Sequence, residues 1–177
     1  MPRIWKQTLL FAGAAACAFL ADLASKAFIF ERLPDAGSVE VVDGFFRLRK
    51  SCNPGLVWGV FSRFDGEIVN ALAGAAALAI MVAVLWMYRR AGELSGIAAA
   101  ALGMVMGGAA GNLLDRVRAG SVRDFLEAYV RLGGRERSWP VFNAADAFIC
   151  VGIVLLLASH LGGGAGRDGE KRDAKAS

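Results

Sequence analysis

The chain has 177 residues, 56% of them apolar, and a mean hydropathy of +0.47, which fits one small membrane bundle better than a soluble domain. The net charge is only +4, and no basic run carries interleaved aromatics, which argues against a nucleic-acid partner. His160 is the single histidine, and Cys17, Cys52 and Cys150 form no Cys-x-x-C. This removes the usual His- and Cys-rich metal sites, and neither metal nor cofactor is expected.

Four apolar stretches are long enough for a bilayer core of about 30 Å: Trp5–Phe30, Ile68–Tyr88, Leu94–Leu114 and Val141–Leu161. Arg3 and Lys6 stand at the start of the first, as in a secretory leader. Apolar residues continue past Cys17 to Phe30, so it reads as a retained helix. Asp22 and Lys26 stand at i, i+4 near its end, on one face. They form either a local ion pair at the membrane edge or a brace for a site.

Residues 31–66 differ in kind. Pro34, Gly37, Gly44, Gly55 and Gly59 break helices, while Val39–Val42 and Phe45–Arg49 have strand-like content. The expectation is a small β-element on the membrane surface between helices one and two. It contains the turn signal Asn53-Pro54-Gly55, with Trp58 beyond it as an interfacial aromatic.

Ala91-Gly92-Glu93 is a short turn, so the second and third helices are antiparallel neighbours. The third carries Gly103, Gly107 and Gly111, a spacing that lets helix backbones approach closely. Asn112, Asp115 and Arg116 follow on one face. The segment from Val117 to Trp139 reads as a loop holding Asp124 and a glycine-arginine tract. Trp139-Pro140 then opens the fourth helix, with Asn143 and Asp146 on one face. The glycine-rich, charged residues 162–177 read as a disordered tail. The two loops on one side carry ten basic residues and the other side eight, which leaves orientation open.

Carboxylates inside or at the edge of a membrane are costly and mark functional sites. Asp146 is the clearest, with apolar residues running on after it. A convergent partner would give a pair sharing one proton, able to activate water without metal, serine or cysteine. A histidine base would have to be His160, at the far end of the last span from Asn143 and Asp146.

Asn53-Pro54-Gly55, Gly111-Asn112-Leu113-Leu114-Asp115-Arg116 running on to Asp124-Phe125, and Phe142-Asn143-Ala144-Ala145-Asp146, with Asp22 and Lys26 before them, together resemble the bacterial lipoprotein signal peptidase (signal peptidase II) family. The resemblance covers about Trp5–Leu161. It implies an all-α bundle of four transmembrane helices with a small extracytoplasmic β-element: a membrane domain over 1–161 and a tail over 162–177. It also implies an aspartic endopeptidase of the bacterial inner membrane that removes the signal peptide of prolipoproteins before a diacylglyceryl-modified cysteine. Asp124 and Asp146 become the catalytic pair. Asn53, Gly55, Asn112, Asp115, Arg116, Asn143, Ala145, Asp22 and Lys26 become substrate-binding or supporting residues. The partners implied are prolipoproteins, membrane lipid and globomycin-type inhibitors, with both termini cytoplasmic and the site near the outer face. Leu23 and Trp58 depart from the family's common Gln and Phe, which touches packing and fine specificity rather than the pair.

Two other readings compete. A proton-coupled transporter would use Asp146, but no inverted repeat or broken span is visible. A scaffold assembled through the glycine stripe leaves Asn112, Asp124, Asn143 and Asp146 without a role.

Overall fold

A computed structural model describes residues 3–55 and 65–176, with side chains for 4–55 and 65–160. Trp58, expected at the membrane interface, lies outside the described residues. The elements are α1 (Arg3–Arg32), β1 (Val39–Val42), β2 (Phe46–Asn53), α2 (Gly66–Arg90), α3 (Gly96–Ala119), β3 (Val122–Leu132), β4 (Arg135–Ser138) and α4 (Ala144–Ala176). Of these, α1, α2 and α3 are long and apolar enough to cross a membrane; α4 adds a shorter apolar stretch, Ala144–His160. Beyond it the α4 backbone continues through the stretch whose composition reads as disordered.

The centre of the bundle is α3. In its most apolar window 61% of residues are buried, against 11% in α1 and 17% in α2. Glycine is the cause. A Cβ at Gly103 or Gly107 would run into the α1 carbonyls of Phe11 and Ala15, and one at Gly108 would come within 2.7 Å of the Ala145 carbonyl on α4. The missing side chains thus let α1 and α4 close on two sides of α3. Outward faces are apolar, as at Leu20, Leu72 and Val82, and suit a lipid surround. Helix ends are set locally. The Ser95 hydroxyl accepts from the Ala98 N–H at 3.1 Å and the Asp65 carboxylate from Glu67 at 2.8 Å, while Gly120 ends α3 at φ +68°.

The sheet corrects two expectations. The β-element is not confined to the first loop, and Asp124 does not sit on a loop. Four antiparallel strands run in the order β1-β2-β3-β4, so the α3–α4 connection supplies half the sheet. The chain is therefore not all-α. The β3 strand buries residues of both parities, including Asp124, Phe125, Glu127 and Tyr129, so no clean apolar alternation marks it. The glycine tract is a hairpin turn: Gly133 and Gly134 take φ +57° and +74°, both positive as a two-residue turn of this kind requires.

The fourth helix begins later than expected. Phe142 joins the sheet, with its N–H bonded to the Leu126 carbonyl at 2.9 Å and its carbonyl accepting from Phe125 and Leu126 at 2.9 and 2.8 Å. The residues before Ala144 are thus committed to β3, and α4 starts immediately beside the strand that carries Asp124.

Candidate active site

The start of α4 is a reciprocal cap. The Asn143 side-chain oxygen accepts from the Asp146 N–H at 3.0 Å, and Asp146 Oδ2 accepts from the Asn143 N–H at 3.2 Å. Asn-x-x-Asp here does what Ser/Thr-x-x-Glu does elsewhere, satisfying two of the free N–H groups of a helix start. A third, that of Ala145, donates at 3.0 Å to Asp22, which reaches across from α1. This places Asp146 at the positive end of α4, where negative charge is favoured.

Three asparagines connect the carboxylates, and the direction of each amide is forced. Lys26 Nζ can only donate, and it donates to Asn112 Oδ1 at 3.0 Å. The Gly55 N–H donates to Asn53 Oδ1 at 2.8 Å. The Asp146 N–H holds Asn143 Oδ1 in the same way. Each amide nitrogen therefore faces a carboxylate. Asn112 Nδ2 donates to Asp146 Oδ1 at 2.8 Å, Asn143 Nδ2 to Asp124 Oδ1 at 2.6 Å, and Asn53 Nδ2 to Asp124 Oδ2 at 3.1 Å. Gly55 is required for this. It has φ +115°, and a Cβ there would lie 2.9 Å from the Ala73 side chain.

Asp124 and Asp146 line one cavity of about 650 Å³, together with Asn53, Asn112 and Arg116. Its remaining walls are apolar, with Ala73, Ala77 and Ile80 from α2 and Ile149 from α4. Asp124 is 2% exposed. Burial, reinforced by the nearby Asp146 charge, pushes its carboxyl up to about 6, against the pull of the Asn53 and Asn143 hydrogen bonds.

Behind the cavity lies a buried charge cluster. Lys26 Nζ is 2.6 Å from Asp22 and 3.2 Å from Asp115, and the Arg123 guanidinium is 2.7 Å from Asp115. Two acids and two bases balance. Asp22 and Lys26 are thus a fully buried pair, bonded also to Ala145 and Asn112. Gly111 makes room for it, because a Cβ there would strike the Asp22 carboxylate. Asp115 lies against Lys26 and Arg123 rather than against Asp124 or Asp146. Arg123 was not legible as a site residue. The only signal for it is its place beside Asp124.

Arg116 lies at the cavity wall. Its Nη1 donates to the Asn112 carbonyl at 3.2 Å and its Nε is buried without a partner; among the described residues it makes no ion pair with Asp124. The guanidinium faces the cavity instead. Ala145 contributes its backbone N–H and is fully buried beneath Gly108. Among the described residues no group of three His, Cys, Asp or Glu could hold a metal ion.

Residues 14–161 match the family model described as signal peptidase (SPase) II. The chain belongs to the signal peptidase II family. It is 31% identical to the lipoprotein signal peptidase of Sulfurihydrogenibium sp. over 157 residues, spanning 88% of this chain and 93% of that one. It is 35% identical to that of Geobacter metallireducens over 147 residues, 83% and 87% of the two chains. The match to that of Nitrobacter hamburgensis is 37%, over 81% and 87%. A bacterial membrane enzyme solved by the in meso method at 1.9 Å shares the fold, with a TM-score of 0.69 over 84% of this chain and 90% of that one, at 24% identity. Family and helices together make this signal peptidase II member a multi-pass membrane peptidase that cleaves lipoprotein signal peptides.

Proposed function

We propose that the chain is an aspartic endopeptidase that removes the signal peptide from prolipoproteins carrying a diacylglyceryl cysteine, cutting just before that cysteine. Asp124 and Asp146 form the catalytic pair. The observation that carries this is the meeting of two carboxylates from separate elements in one cavity, held by neutral amides instead of cations. A cation on either would fix it as a permanent anion. Amides leave the pair free to share one proton.

In this mechanism Asp124 keeps the proton and polarises the scissile carbonyl, while Asp146 takes a proton from water. The water oxygen bonds to the carbonyl carbon, giving a tetrahedral intermediate. A proton then passes to the cysteine nitrogen as the C–N bond breaks. The apolar walls from α2 and α4 suit a signal helix and acyl chains that enter from the bilayer plane. By family resemblance, α1 to α4 form four spans of the bacterial inner membrane, with both termini cytoplasmic and the sheet and cavity at the outer face. Globomycin-type compounds occupy the same cavity.

The test is cleavage of a purified precursor in detergent or lipid. The protein cuts the diacylglyceryl-modified form and cuts the unmodified form poorly. Asp124→Asn and Asp146→Asn each abolish cleavage while still inserting, because an amide can neither take the proton from water as Asp146 does nor share a proton as the acid Asp124 does. Near-normal turnover by either variant removes that residue from the pair.

A further inference from the structure

The β2–β3 ladder changes register beside the catalytic strand. Phe46, Arg47 and Leu48 stand opposite Ala128, Glu127 and Leu126; beyond the change, Ser51, Cys52 and Asn53 stand opposite Asp124, Arg123 and Val122. Two residues of β2, Arg49 and Lys50, thus face the single residue Phe125, which is a β-bulge. Side chains alternate along a strand, so one inserted residue switches the face of everything after it. A continuous register would set Lys50 opposite Asp124 and Cys52 opposite Val122. It would turn the Asn53 side chain to the other face of the sheet. With the insertion, Asn53 Nδ2 reaches Asp124 at 3.1 Å.

Both bulged residues are anchored. Arg49 Nε lies 3.1 Å from the Glu127 carboxylate, which is 1% exposed and also held by Arg47 at 2.7 Å. Lys50 donates to Asp35 at 2.8 Å, but Asp35 is 98% exposed, so that tether is weak. Glu127 is the firm anchor, and the cleavage mechanism makes no other use of it. Glu127 is the buried member of this group, Arg47 is mostly covered and Arg49 is partly exposed, so removing the Glu127 charge releases both guanidiniums at once.

We infer that Glu127, through Arg47 and Arg49, is a positioning residue that fixes the β2 bulge and so selects the register in which the Asn53 amide meets Asp124. The inference rests on the catalytic reading of Asp124. Without the anchor, β2 slides into the continuous register, which keeps the strands paired and brings the Lys50 ammonium beside the catalytic carboxylate. Turnover then falls, while the apolar contacts that bind substrate stay in place.

The register can be read without substrate. In a chain carrying Cys17→Ala, Cys150→Ala and Val122→Cys, the introduced thiol faces Asn53 in the bulged register and native Cys52 in the continuous one. Mild oxidation followed by mass spectrometry of the full chain is expected to show little cross-link with Glu127 present. Severalfold more is expected with Glu127→Gln. Equal cross-linking in both overturns the inference and leaves the proposed activity untouched. With all three native cysteines, cleavage of lipid-modified precursor by Glu127→Gln is expected to lose roughly ten- to a hundred-fold in kcat, with KM little changed. Asn53→Ala should then add almost nothing in that background. Deletion of Lys50 removes the insertion but keeps Asn53 opposite Val122, so combining it with Glu127→Gln is expected to restore kcat. Additive losses, or no rescue by the deletion, refute the role. If Glu127→Gln does not fold, Arg49→Ala leaves Arg47 on Glu127 and is expected to raise the same cross-link to a lesser degree; an unchanged cross-link there also refutes it.

Discussion

Lys26→Met is the sharpest test of the charge cluster behind the cavity. Methionine matches lysine in length and apolar stem but removes the ammonium. Lys26 and Asp22 are fully buried and Asp115 is 2% exposed. Asp115 would keep the Arg123 guanidinium at 2.7 Å, so the loss falls on Asp22, which among the described residues would retain the Ala145 N–H and no paired cation. An uncompensated buried charge of this kind costs about 3–5 kcal/mol. For a chain of this size that lowers Tm by roughly 10 °C. Adding Asp22→Asn removes the stranded charge and keeps an oxygen for the Ala145 N–H, so the double variant should recover about 2 kcal/mol through coupling of the two sites. The assay is thermal unfolding of purified protein in one fixed detergent, followed by tryptophan fluorescence, for wild type, both single variants and the double. A Lys26→Met protein melting within a degree or two of wild type, or a double variant no better than the worse single, would falsify the account of a charge-balanced cluster.

The remaining expectations concern the cavity. If catalysis uses neutral Asp124 as proposed, kcat/KM falls as pH rises through its titration; the Asn53 amide favours the ionised form, so Asn53→Ala should move this alkaline limb to higher pH, and an unmoved limb assigns it to another group. The raised value of Asp124 also means that its ionisation costs stability as pH climbs from about 4 through 6, so inactive Asp124→Asn should melt no lower than wild type at neutral pH. Gly111→Ala drives a methyl group into the Asp22 carboxylate and should cost about 1–3 kcal/mol together with activity; a Tm equal to wild type would show that α1 can shift freely. Arg116→Lys should fold and lose part of the activity and Arg116→Ala more, read as cleavage rate at saturating precursor, while full activity in both variants would make Arg116 a mere snorkel.

Sequence alone marked the apolar helices, three of which, α1, α2 and α3, are long and apolar enough to cross a membrane, and the glycine stripe announced a close helix contact. It singled out Asp124 and Asp146 through the order of three short blocks, and Asp22 with Lys26 through helical spacing. It did not reveal that Asp124 rides on a strand. The β3 strand is buried on both faces by charged and apolar residues alike, so period-two alternation was absent. Nor could it show that Asn143 and Asp146 cap each other at a helix beginning three residues later than the apolar stretch from Val141 suggested, since Phe142 is claimed by a strand distant in sequence. The direction of each asparagine amide was likewise beyond it. A side-chain amide has no preferred end until a donor from elsewhere, such as Lys26 from α1, fixes its oxygen. The register of β2 on β3 was also left to the tertiary structure, because Asn53 and Cys52 are equally able to face Val122 until Glu127 holds the bulge. Local patterning fixes which residues are costly to bury. Only the packed chain decides which of them meet.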